Sequence, residues 1–214
     1  IRLCDISNLV IFNSDEKLDE LEIKTTEIFE EYRKFHISDI IDGRLVILTS
    51  LSLSDKLDSL LVQDLKKIVY NAEVQASFFL DGERRDIPSL RRGYASFCAN
   101  ASAMDRIFLH RKFRDMHDVL FTEEVRTLIQ KRSSREAHIQ ILEEDHDNLL
   151  ETLAVYLIDC NSQLNLTADT LFVHRNTVAY RLNKIKQISN TDFTKMPATY
   201  DYYLAAALYR LSES

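Results

Sequence analysis

The sequence reads as an α+β protein, with a ferredoxin-like βαββαβ domain followed by an all-α domain built on a helix-turn-helix. Three observations point there. Short β-branched apolar runs alternate with helical patterns across residues 7–80. Asp42-Gly43 sits between two such runs and is a strong hairpin signal, because both residues tolerate the positive φ that a two-residue turn demands. From Glu136 to the end, apolar residues recur only at helical spacing.

Taken in order, Ser7–Asn13 contains LVIF and predicts a first strand. Asp15–Arg33 predicts a helix, with Leu18, Leu21, Ile28, Phe29 and Tyr32 near one face. Phe35–Ile41 and Arg44–Leu51 predict the two strands of the hairpin. Ser54–Asn71 carries Leu57, Leu60, Leu61, Leu65, Ile68 and Val69 at helical spacing, and Glu73–Leu80 predicts a fourth strand ending at Asp81-Gly82. The resulting order suits one sheet with helices packed on one side. Pro88 marks the start of a further helix over Ser89–Met104, where a missing amide costs little. Between Arg106 and Phe121 the periodicity is poor, and Ile107–Leu109 and Val119–Phe121 read as short strands. A helix opened by Thr122 runs to Gln130, and the apolar-free stretch Lys131–Arg135 reads as a linker. The domains are therefore expected at 1–131 and 132–214. Glu136–Asn161 predicts a long helix with Leu142, Leu149, Leu150, Leu153 and Leu157 down one side, and Ala198–Leu211 a closing apolar helix.

Composition narrows the function classes. The chain has 214 residues, 45% hydrophobic and 29% charged, which is ordinary for a globular protein. Net charge is −7, so any contact with nucleic acid has to be local. The opening run IRLCDISNLVIF is too short and polar for a membrane span and lacks signal-peptide features; it reads as the start of a piece of a longer protein. Three cysteines, Cys4, Cys98 and Cys160, lie far apart, which suits reduced core thiols in a cytoplasmic protein better than a disulfide framework or zinc site. No P-loop, GxSxG, HExxH or GxGxxG occurs, and three glycines leave little room for one.

Residues 165–188, NLTADTLFVHRNTVAYRLNKIKQI, carry the local patch. Asn165 or Thr167 suits the cap of a first helix, Ala168 lets a second helix cross closely, Val173 fills the turn, and His174 or Asn176 begins the second helix. Val178, Leu182 and Ile185 fall at i, i+4 and i+7, while Asn176, Tyr180, Asn183, Lys184 and Gln187 lie opposite. Residues 161–188 hold four cations against one carboxylate, a net +3 in an otherwise acidic chain. Such a helix suits entry into a major groove.

LFVHRNTVAYRL, preceded by TLAVYL at 152–157, resembles the C-terminal helix-turn-helix of PucR/CdaR-type bacterial transcription regulators, over roughly residues 142–211. The resemblance implies a sequence-specific DNA-binding regulator of metabolic genes, answering a metabolite or nutrient signal, and no enzyme. Its implied interface is Arg175, Asn176, Thr177, Tyr180, Arg181 and Lys184, with His174 suiting a helix cap more than a base contact. Arg and Asn pair bidentately with guanine and adenine, Thr177 and the first amides suit a phosphate, and Lys184 and Lys186 add backbone attraction. Arg181 lies on the flank of the apolar stripe, so a clamp on a neighbouring helix or a phosphate competes with base contact. More weakly, the first domain resembles the degenerate GGDEF-like domain of these regulators. Its hairpin turn, Ile41-Asp42-Gly43-Arg44, has one Asp and one Gly where active cyclases have an acidic, glycine-rich motif, so no cyclase activity is expected.

The partners expected are double-stranded DNA, a second copy as homodimer and a small-molecule effector, with no membrane, cofactor or metal. Two rival readings stand: a protein–protein or sensor module whose helix-turn-helix only packs, and a nucleotide-binding cyclase-like enzyme. Residues 132–214 carry eight Lys/Arg against eleven Asp/Glu, so the DNA reading requires the basic patch to be segregated in space. Elsewhere the bland reading is preferred: His110 and His117, His138 and His146, the acidic run 143–147, the Arg84-Arg85 and Arg91-Arg92 pairs, and Tyr200, Tyr202, Tyr203 and Tyr209 read as surface or packing.

Overall fold

A computed structural model describes residues 6–14, 17–52, 54–70, 76–81, 86–130 and 148–212. They fall into two compact units, residues 1–101 with 111–120, and residues 102–110 with 121–214.

The first unit is a five-stranded sheet of order β2-β3-β1-β4-β5, with strands β1 (Asn8–Ser14), β2 (His36–Ile41), β3 (Arg44–Thr49), β4 (Ala76–Leu80) and β5 (Phe113–Asp115). All neighbours are antiparallel except β4 and β5, which run parallel. The central β1 is buried along almost its whole length, as its unbroken LVIF run requires of a strand covered on both faces. Asp42 at φ 51° and Gly43 at φ 70° form the two-residue turn of the β2–β3 hairpin, matching the sequence expectation.

Helices α1 (Leu18–Glu31) and α2 (Lys56–Tyr70) cover one face. There Leu21 and Phe29 of α1 and Leu61, Leu65 and Val69 of α2 pack with Val10, Phe12, Leu45 and Ile47 of the sheet. Each such side chain contributes about 1.5–3 kcal/mol on burial. The helices do not all lie on that side, however. In α3 (Ile87–Ile107), Phe97 meets Phe79 of β4 with ring centroids 4.8 Å apart, on the face opposite to Phe12. A central strand buried on both sides needs such a second layer, and β4 and β5, being parallel, need a crossover helix between them.

The stretch after α3 departs from expectation. Ile107 ends α3, and Val119–Phe121 lie inside α4 (Met116–Gln130), so neither segment is a strand. The added strand is Phe113–Asp115 instead. Helix α4 opens at Asp115, whose Oδ1 accepts from the amides of His117 (2.8 Å) and Asp118 (3.3 Å), while Thr122 is buried in its interior.

The second unit is helical where described. Residues 131–147, which include the expected linker and the first half of the expected long helix, lie outside the described residues, as do Cys4, Gly82, Arg84 and Arg85. The helix over Glu136–Asn161 is not continuous: Asn148 sits at φ 56°, α5 spans Leu149–Ala154, and a π-helical turn follows over Val155–Asp159. Periodicity alone does not register one left-handed residue. Helix α8 (Ala198–Ser212) closes the unit. Arg210 of α8 is almost wholly buried and donates to Asp159 Oδ2 (2.7 Å) and to the Ile107 carbonyl (2.6 Å). Arg106 in turn donates to the Leu211 carbonyl at 2.7 Å, closing the C-terminal end of α8. Tyr202 packs on Phe193 and Tyr203 on Phe121, so these rings serve the core. Among the described residues no helix is long and apolar enough to cross a membrane, and no group of three His, Cys, Asp or Glu side chains converges as for a metal.

Candidate nucleic-acid interface

Helix α6 spans Leu164–Thr170 and α7 spans Arg175–Ser189. Neither Asn165 nor Thr167 caps α6. The cap position is Gln163, without a side-chain bond, and the Thr167 hydroxyl donates back to the Gln163 carbonyl at 2.8 Å from a buried site. Ala168 is buried, as close helix crossing requires. The turn is held by Val173 N donating to the Ala168 carbonyl (3.0 Å) and by Phe172 in the left-handed region at φ 54°.

His174 is the N-cap of α7. Its extended backbone turns the ring so that Nδ1 accepts from the Asn176 amide at 3.2 Å, which puts any ring proton of the neutral form on Nε2. Val178, Leu182 and Ile185 are buried, and the helix ends at Asn190 in the left-handed region. The apolar stripe therefore fixes which residues α7 can present. Arg175, Asn176, Tyr180, Asn183 and Gln187 are exposed, with Thr177 and Lys184 half-buried beside them.

The predicted cations separate into different environments. Arg175 stands at the exposed N-terminal end of α7, where backbone amides add partial positive charge. Arg181 turns to the scaffold instead, its Nη1 donating to the Thr152 hydroxyl of α5 at 3.1 Å. Lys186 pairs with Asp192 at 3.0 Å. The Asp192 carboxyl is held well below the usual carboxylate range, first by the Thr194 hydroxyl and then by Lys186. Sequence spacing leaves an Arg181 clamp open without naming its partner, and does not reveal the Lys186 contact, because Asp192 lies beyond residues 165–188. It also passed over Phe172, which is 94% exposed in a turn where a helix end favours Gly or Asn. A missing glycine at that turn was the available signal.

With this geometry in place, comparison with known proteins is specific for one part of the chain. Residues 149–208 match the PucR C-terminal helix-turn-helix domain. This stretch carries a PucR-type helix-turn-helix. The PucR-type segment is 38% identical over 69 residues to the purine catabolism regulatory protein of Bacillus subtilis, covering 32% of this chain and 13% of that protein. It is 34% identical over 62 residues to the proline-responsive transcriptional activator PutR of the same organism, covering 29% and 15%. A protein of Haemophilus influenzae without assigned function is 43% identical over 68 residues, covering 32% and 18%. The chain thus spans less than a fifth of the length of the curated relatives it matches. A solved structure, a regulator of polyketide synthase expression from Bifidobacterium adolescentis, aligns over 98% of this chain and 82% of its own with a TM-score of 0.42 and 17% identity.

Proposed function

We propose that this chain is part of a sequence-specific, DNA-binding transcriptional regulator that reads a half-site with α7. One observation carries the reading: within the PucR-type segment, α7 buries Val178, Leu182 and Ile185 and leaves Arg175, Asn176 and Tyr180 exposed on its outer side. In this reading Arg175 and Asn176 contact base edges, the Thr177 side chain holds a phosphate in place of the first amides, since those of Asn176 and Thr177 already donate to His174, and Tyr180 and Lys184 extend the contact along the groove. His174 acts by capping the helix, and Arg181 acts by holding α7 to Thr152, so both position the reader.

The regulator works as a homodimer in the cytoplasm on a two-fold site, since one small helix-turn-helix buries too little surface for strong specific binding. It answers a small metabolite and performs no catalysis. The regulation of purine catabolism and the response to proline, in two relatives, support a metabolic signal. The proposed division is a GGDEF-like, non-catalytic regulatory and dimerisation part at 1–131 and the DNA-binding part at 132–214. The order β2-β3-β1-β4 with antiparallel neighbours supports a ferredoxin-like, GGDEF-like first part.

The test is selection of duplexes from a randomised pool, then anisotropy titration of the winner at several salt concentrations. An enriched two-fold sequence and a steep salt slope are expected. Arg175→Ala and Asn176→Ala should each weaken specific binding by about 1–3 kcal/mol without moving the thermal midpoint. Loss of stability equal to the loss of binding would overturn the assignment of these side chains to DNA.

A further inference from the structure

The first unit contains a half-open cavity of about 410 Å³, a volume within the range of small-molecule sites. It lies where β4 and β5 end: Leu80 and Asp115 are register partners of this parallel pair, and both line the cavity. The space outside the carboxyl ends of parallel strands is where open sheets most often take ligands, because the chain leaves it uncovered. Helix α2 forms the opposite wall.

The donors on that wall are ordered. Ser59, Gln63 and Lys66 recur at i, i+4 and i+7 on one side of α2 and line the cavity together. None of these three side chains has a hydrogen-bond partner among the described residues. Lys66 Nζ lies 3.6 Å from the centroid of the Phe113 ring, and its burial lowers its proton affinity while Asp115 opposes that shift. The two carboxylates at the site are already engaged. Asp115 accepts from two amides of α4 and lies 3.4 Å from His117 Nδ1. Asp81 is buried against α3, its carboxylate standing where a Cβ on Gly93 would be. Apart from the His117 imidazole, whose Nδ1 faces Asp115, what remains is one ammonium, one hydroxyl and one amide, facing an apolar wall of Val62, Leu80, Phe113 and Met116.

We propose that this cavity binds a small organic carboxylate with a flat or apolar body, its carboxylate on Lys66, Gln63 and Ser59 and its body against Phe113 and Met116. A single available ammonium beside two carboxylates fits a monoanion and disfavours a phosphate dianion. The polar row fixes orientation and the apolar wall supplies contact area, the usual division in such sites. The site belongs to the first unit alone and does not depend on the DNA-binding reading.

The test uses the full chain and backbone amide NMR titration with benzoate, benzamide, benzylamine and inorganic phosphate as probes. Benzoate should give saturable shifts at residues 59–66 and 115–117, with a dissociation constant on the order of 1 mM. Benzamide should bind at least about tenfold more weakly, and Lys66→Met should weaken benzoate by a similar factor, as expected for losing a charge-assisted bond. Met116→Trp, on the opposite wall, should block binding by filling the space, and its folding is checked in the same spectra. No saturable shift at these residues, equal binding of benzamide, tighter binding of phosphate or benzylamine, or an unchanged benzoate affinity in Lys66→Met would each overturn the proposal.

Discussion

Replacing Arg210 with methionine should destabilise the second unit by about 3–5 kcal/mol, the cost of stranding a buried charge. The guanidinium side chain is 4% exposed and the Asp159 side chain 1%, at a separation of 2.7 Å. At an effective dielectric of about 20 the bare attraction at that distance is about 6 kcal/mol, much of it offset by the desolvation of both ions. Removing Arg210 therefore removes more than a weak surface pair. It also leaves the Ile107 carbonyl without its 2.6 Å donor, and leaves Asp159 with the His110 amide at 3.4 Å. Methionine keeps much of the side-chain volume, so the loss reports on charge and not on a cavity. Urea unfolding followed by far-ultraviolet circular dichroism measures the change, from the midpoint at constant slope. The double variant Arg210→Met with Asp159→Leu should recover most of the loss, because an apolar pair of similar volume avoids both desolvation costs. A loss below about 1 kcal/mol for Arg210→Met, or no recovery in the double variant, would refute the view that a stranded carboxylate is what costs.

Three further outcomes are expected. His174→Ala should cost about 1 kcal/mol of stability by deleting the cap on the Asn176 amide, read from the same urea midpoints. Phe172→Asn should leave stability unchanged or raise it by up to about 1 kcal/mol, since Asn tolerates the left-handed backbone and the exposed ring packs on little. Tyr32 is pushed up to about 12, chiefly by its hydrogen bond to the Asp64 carboxylate at 2.6 Å, with burial adding. Because the folded value is raised, the stability from this bond is complete below the ordinary tyrosine value of about 10 and is lost as pH rises toward about 12. Ultraviolet titration of the wild type against Tyr32→Phe should show one late tyrosinate, which Asp64→Asn returns toward the ordinary range; a Tyr32 that ionises normally in the folded wild type would count against that bond.

Much of this architecture is written in local patterns. LVIF, the Asp42-Gly43 pair and the i, i+4, i+7 stripe of Val178, Leu182 and Ile185 each satisfy a period or a backbone requirement within a few residues, so they are legible without the fold. The His174 cap is local too, reaching two residues along the chain. The remainder depends on distant partners. Phe113–Asp115 becomes a strand because β4 offers an edge more than thirty residues away, which a three-residue segment cannot announce. Asn148 breaks a leucine-rich pattern that looks continuous, since one left-handed residue leaves the spacing of side chains readable on either side. Arg181 reads as a ligand for DNA as readily as a clamp until Thr152, 29 residues earlier, is brought to its guanidinium. Likewise nothing in the pattern of the closing helix marks Arg210, which chain folding buries on Asp159, 51 residues away. Periodicity reports which face of an element is apolar, whereas the partner of a polar group is set by packing between elements remote in sequence.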